Sequence, residues 1–224
     1  MATKAVIFDL WNTIAYNKGA KINPIVKLEE LLGLNMGLYR EVELGFMTKR
    51  FKTRKDAMVS LCKHVGVKPT DRTVDTLVYV WRGLQISVTL FPDVIPAITK
   101  LRSKYKTGLL SNTDCFTVED FKNKGYGKLF DSIAFSCDLG LLKPDPKIFR
   151  LVLHELGVEP EETVMVGDNY NDDILAAEKL GMQGVLLKRD YDKYDTRPSH
   201  IETKKHPRTI NDLTELEKFF NVKA

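Results

Sequence analysis

Asp9 sits where an acid can do covalent chemistry. It closes the run Val6-Ile7-Phe8, a short apolar stretch of the kind buried on both faces of a parallel sheet. An acid at the end of such a strand lies at the carboxyl edge of an α/β sheet, where ligands bind in this architecture. The pattern returns in Thr163-Val164-Met165-Val166-Gly167-Asp168, followed by Asn169-Tyr170-Asn171-Asp172-Asp173. Between the two, Leu109-Leu110-Ser111-Asn112 ends a strand on a hydroxyl, and Leu141-Leu142-Lys143-Pro144 fixes a lysine before a proline. Two acidic strand ends, a hydroxyl strand end and a lysine can converge on one phosphoryl group or metal ion. Each also has a plainer use: Asp in a turn, Lys in an exposed loop.

In this order and spacing the four motifs resemble the haloacid dehalogenase superfamily, and the resemblance spans nearly the whole chain. It implies an α/β fold, a Rossmann-like doubly wound parallel sheet carrying an inserted helical cap. It implies that Asp9 is a nucleophile forming an aspartyl intermediate, a carboxylate being able to attack when pre-aligned. Asp168 and Asp173 would hold Mg²⁺ together with Asp9 and the backbone carbonyl of Trp11. Asp172, next to Asp173, competes for the same role and is otherwise a charge at a helix N-terminus. Ser111 and the backbone N–H of Asn112 would bind the oxygens of the transferring group, and Lys143 would neutralise nucleophile and phosphoryl charge. Trp11 and Asn12 would border the substrate, and Thr13 would bond the backbone near the nucleophile, much as an ordinary helix cap does.

Trp11 departs from the pattern. Phosphatases of this superfamily usually carry a second Asp two residues after the nucleophile, which protonates the leaving group and later activates water. Indole does neither, so an acid–base contribution of ~10²–10⁴-fold is missing from its usual place. An aromatic residue at this point is also similar to the metal-independent 2-haloacid dehalogenases, which lack the acid at the position of Asp168. The reading is a Mg²⁺-dependent phosphatase of a small phosphorylated metabolite. Its rivals are a metal-independent 2-haloacid dehalogenase and a low-turnover homologue that binds a phosphorylated ligand.

The elements that must position these residues are readable from periodicity. After the first strand, Pro24 to Leu32, Tyr39 to Met47, the stripe Ala57, Leu61, Val65 and the stripe Val74, Leu77, Val78, Trp81, Leu84 follow helical spacing. Four helices without a strand predict a bundle, the expected cap, over residues 17–89, with residues 1–16 and 90–224 forming the core. Beyond Phe91-Pro92-Asp93, strands are predicted at Thr107 to Leu110, Ser132 to Phe135, Val164 to Val166 and Gly184 to Leu187. Helices are predicted at Val94 to Lys104, Phe116 to Lys124, Lys147 to Leu156, Asp172 to Leu180 and Leu213 to Phe220. Such alternation means parallel strands joined by right-handed crossovers. The charged segment Lys188 to Lys205 reads as loop.

Composition narrows the classes. The 224 residues suffice for one core plus a small appended domain. Lys and Arg number 34 against 30 Asp and Glu, a net +4 too mild for a nucleic-acid partner. Residues 16–90 hold 13 basic against 7 acidic residues, leaving 21 against 23 elsewhere; a basic insert facing an acidic site would draw in anionic substrates. No apolar stretch approaches the ~20 residues that span a bilayer, and no signal-peptide pattern opens the chain. Three cysteines, Cys62, Cys115 and Cys137, lack metal-type spacing and suit a reducing cytoplasm.

Overall fold

The continuous apolar run before Asp9 forms the centre of a sheet because both of its faces are covered. In the computed structural model, which describes residues 2–18, 22–34, 37–84, 87–194 and 203–220, strand β1 (Ala5–Phe8) is fully buried. The chain continues through β2 (Ala15–Asn17), α1 (Pro24–Leu31), α2 (Tyr39–Phe46), α3 (Arg54–His64), α4 (Asp71–Leu84) and β3 (Val88–Leu90). It then alternates through α5 (Val94–Arg102), β4 (Lys106–Ser111), α6 (Cys115–Asn123), β5 (Ser132–Phe135), α7 (Ser136–Leu139), α8 (Pro146–Leu156) and β6 (Thr163–Gly167). The last elements are α9 (Ala176–Lys179), β7 (Gln183–Leu187) and β8 (Thr209–Ile210).

Six parallel strands lie in the order β5-β4-β1-β6-β7-β8. The register pairs Phe8 with Leu109 on one side and Val166 on the other. The residues just past these three positions therefore reach one stretch of the sheet's carboxyl edge together, which is how the motifs of distant segments meet. One sheet face packs Val6, Phe8, Leu109, Val164 and Val166 against Ile98, Phe121 and Leu216. The other packs Ile7, Leu110 and Met165 against Phe149, Val152 and Ala177.

Helices α1 to α4 bury a cluster of their own around Leu28, Val42, Phe46, Leu61, Leu77 and Trp81. Phe46 and Trp81 meet edge to face at 4.9 Å, a favoured aromatic geometry. Thr53 and Asp56 close a capping box that starts α3.

Several features differ from the sequence expectation, the short α7 among them. β2 and β3 pair antiparallel, Ala15 with Leu90 and Asn17 with Val88, as a ribbon at the stem of the helical insert. Three-residue strands are too short for a period-2 pattern to register. The two-residue β8 was hidden for the same reason, beyond the stretch Lys188 to Lys205 that reads as loop, of which residues 195–202 lie outside the described residues. The segment Leu213–Phe219 is a 3₁₀ helix, not an α-helix. The segment from Asp172 to Leu180 begins as a π-helical turn, Tyr170–Leu175, before α9. No helix among the described residues is long and apolar enough to cross a membrane.

Candidate active site

At the carboxyl edge of the sheet, Asp9, Trp11, Asn12, Asn112, Lys143, Asp168 and Asp173 line one cleft, roofed from the insert by Tyr39 and Glu43. The Asp9 N–H continues the strand ladder by donating to the Val166 carbonyl at 2.9 Å. The chain then turns sharply, with Asn12 at φ 58°, a left-handed conformation that Asn tolerates better than most side chains. That turn returns the Asn12 side chain to the Asp168 carboxylate, to which it hydrogen-bonds.

Lys143 is the electrostatic centre. It is 3% exposed, and its Nζ donates to Asp9 Oδ1 and to Asp173 Oδ1, each at 2.6 Å. Burial alone would depress its pKa, but the Asp173 and Asp9 carboxylates reverse that and hold the ammonium above the ordinary lysine value. Its backbone is clamped by one side chain. Asn112 Oδ1 accepts from the Lys143 N–H at 2.8 Å while its Nδ2 donates to the Lys143 carbonyl at 3.1 Å.

One carboxylate oxygen from each of Asp9, Asp168 and Asp173 lies within 4.8 Å of the others. Burial, then the Asp9 and Asp173 charges, push the Asp168 carboxyl well above the usual range; burial also raises that of Asp173. The crowding is unfavourable for three anions and is relieved by a cation, so the donor set fits a hard divalent metal.

The local geometry separates Asp172 from Asp173. In the π turn, a form that recurs at functional sites, Asn169 caps by accepting from the N–H groups of Asn171 and Asp172. Its own N–H donates to Asp173 Oδ2 at 3.1 Å. Asp173 thus points at Lys143, while Asp172, also on the cleft wall, accepts from Arg40 Nη2 at 2.7 Å. It therefore serves as an ion-pair partner of the insert.

Ser111 and Thr13 are placed differently from the rest. Both are fully buried beside the cleft, outside the set of side chains that line it. Among the described residues neither hydroxyl oxygen has a hydrogen-bond partner. Strand alternation sets Ser111 two residues on from Leu109, hence on that residue's sheet face.

Sequence reasoning missed the residues that close the site from a distance. Arg40 Nη1 donates to the Lys143 carbonyl at 2.6 Å and to Glu43 Oε2 of its own helix at 2.8 Å, and with Nη2 on Asp172 one guanidinium joins the insert to two loops at the sheet edge. Ser136 Oγ donates to the Met47 carbonyl at 2.7 Å and accepts from the Thr113 N–H at 2.9 Å. Tyr191 hydrogen-bonds Asp168 from the charged segment after β7. The Trp11 indole N–H is held by Thr113 Oγ1 at 3.3 Å. The three thiols are free and buried, and Cys115 packs in the core as a small apolar filler.

Known proteins resemble this chain in sequence and fold. A family model described as haloacid dehalogenase-like hydrolase matches residues 3–181. A glyceraldehyde 3-phosphate phosphatase of Methanopyrus kandleri is 30% identical over 199 residues, 83% of this chain and 84% of that protein. The crystal structure of a phosphatase of this superfamily from Thermococcus onnurineus superposes with a TM-score of 0.60 at 27% identity, covering 96% of this chain and 97% of the other. A 2-haloacid dehalogenase from Pseudomonas syringae has the same fold, with a TM-score of 0.62 at 20% identity over 96% and 97% of the two chains. With its motifs brought together on one sheet edge and the family pattern running through 179 of its residues, this chain belongs to the haloacid dehalogenase-like hydrolases.

Proposed function

We propose that the protein is a Mg²⁺-dependent phosphatase of a small phosphorylated metabolite, acting in the cytoplasm through an aspartyl-phosphate on Asp9. The observation that carries this reading is the Asp9–Lys143–Asp173 contact with Asp168 alongside. It combines a nucleophile, a fixed cation and an acidic cluster of metal-binding type. A metal-free dehalogenase would have to bring an anionic 2-halo acid up to three buried carboxylates, which is electrostatically unfavourable.

Asp9 Oδ1 is taken by Lys143, leaving Oδ2 for attack on phosphorus. A new P–O bond forms to Asp9 as the ester P–O bond breaks, and water then displaces phosphate from Asp9. Asp9, Asp168, Asp173 and the Trp11 carbonyl would hold Mg²⁺, which when bound offsets the charge of the phosphoryl oxygens. Lys143 screens the same charge. The unpartnered Ser111 hydroxyl and the Asn112 N–H are assigned to the phosphoryl oxygens, Asn12 to orienting Asp168, and Thr13 to the turn after Asp9. Residues 17–89 act as the lid, latched to the core by Arg40.

The test is a panel of phosphate esters, glyceraldehyde 3-phosphate included, and of 2-haloacids, each with Mg²⁺ and with chelator. Phosphate release that requires Mg²⁺ is expected. Halide release that persists in chelator would overturn the reading.

Gly167 supplies a further expectation. A Cβ there would overlap the Asp173 carboxyl group, so Gly167→Ala must displace the carboxylate from Lys143. Turnover is expected to fall about 10²-fold with a weaker response to Mg²⁺, since a small misplacement at such a site costs that much. Unchanged Mg²⁺ dependence in this variant would mean that Asp173 is not held for the metal.

A further inference from the structure

The missing acid at position 11 leaves a gap that the insert fills. In an in-line displacement the attacking and leaving oxygens lie on opposite sides of phosphorus. With Asp9 on the sheet edge, the leaving group must face the insert, whose side chains lining the cleft are Tyr39 and Glu43. Glu43, in the middle of α2, is 4% exposed and lines the same cleft as Asp9. Its Oε2 accepts from Arg40 at 2.8 Å, while Oε1 has, among the described residues, a long 3.5 Å contact from the Asn112 amide and no shorter one. The other cleft carboxylates are committed: Asp9 and Asp173 to Lys143, Asp168 to Asn12 and Tyr191, and Asp172 to Arg40 and Asn169.

On the phosphatase reading above, we propose that Glu43 is the general acid–base of this enzyme, taking from the insert the role for which Trp11 has no proton. In the first step the Glu43 carboxylic acid gives its proton to the leaving oxygen as the ester P–O bond breaks, and the alcohol departs neutral. In the second, water attacks phosphorus, its proton passes to the Glu43 carboxylate, and the Asp9–phosphorus bond breaks to release phosphate. Each turnover returns Glu43 to its protonated form.

The surroundings poise it for both directions. Burial lifts its carboxyl to about 7; Arg40 and Lys143 pull it down, Asp172 pushes it up, and the Asn112 amide favours the anion. A group titrating near the working pH is the most effective proton carrier in both directions.

Glu43 also ties insert to core, and the experiment must separate the two roles. Glu43→Gln keeps the shape and an acceptor for Arg40 and removes the proton. It is assayed with Mg²⁺ on an alkyl phosphate and on an aryl phosphate whose phenolate leaves unassisted. The alkyl ester is expected to lose about 10²-fold or more, together with the fall in kcat/KM above about pH 7 expected of the wild type. With the aryl ester, a full burst of one phenol per site is expected, followed by slow turnover, because only the second step then lacks its base. Equal loss on both esters with no burst, or an unchanged alkaline limb, overturns the assignment to Glu43 alone. A wild type that cleaves neither ester overturns the phosphatase reading, and this assignment with it.

Discussion

Asp9→Asn is expected to abolish turnover, by about 10⁴-fold or more, as removal of a covalent nucleophile does, while leaving the fold intact. Asn has nearly the same shape, and its carbonyl oxygen can still accept from Lys143. The Lys143 ammonium keeps its contact with Asp173 at 2.6 Å, so no buried charge loses its only partner. One negative charge also leaves a cluster in which the Asp9 carboxylate helps to raise both Asp168 and Asp173. The melting temperature without Mg²⁺ should therefore hold or rise even as activity vanishes. Acid quenching of the wild type with labelled substrate should trap phosphate on the protein, and the variant should trap none. Activity within tenfold of wild type, or equal trapping by the variant, would remove Asp9 from the chemistry.

Much of this site was readable because its residues close short, continuous apolar runs. Val6 to Phe8 and Val164 to Val166 are buried on both faces, and such runs announce themselves in a sequence. Their parallel pairing then fixes where Asp9 and Asp168 end up. Lys143 was legible from its place between Leu142 and Pro144. What was not legible depends on pairing across the chain. Arg40 meets Asp172 at a separation of 132 residues, and Ser136 meets Met47 at 89; no local pattern encodes either contact. The choice between Asp172 and Asp173 turned on a π-helical turn, which shifts the phase that helical periodicity assumes. Glu43 is set apart by nothing in the local pattern of α2, and only packing against the core buries it. Ser111 is the counterpart: its strand end was legible, while the side on which its hydroxyl lies was not, and that oxygen is buried beside the cleft with no partner among the described residues.

The largest effect on stability is expected from Lys143→Met, which fits the same volume without the charge. Asp9, Asp168 and Asp173 would then face one another with no fixed cation, and breaking a buried ion pair on one side costs about 3–5 kcal/mol. The pH dependence follows from the direction of the shifts. Burial already holds the Asp173 carboxyl at about 7 and raises that of Asp168, and loss of Lys143, which lowers both, must raise them further. A carboxyl whose folded pKa lies above its unfolded value binds more protons folded than unfolded across that interval. Its stabilising contribution is therefore greatest at low pH and is lost as pH rises through the folded pKa. Lys143→Met should melt close to wild type near about pH 4 and far below it near about pH 8. Because a cation that binds only the folded form stabilises by mass action, added Mg²⁺ should recover part of the deficit at the higher pH and none at the lower. Activity should stay absent throughout, since a restored fold does not restore the charge beside Asp9. A variant that melts with the wild type at every pH, indifferent to Mg²⁺, would mean that the three carboxylates do not depend on Lys143 for their compatibility in the folded protein.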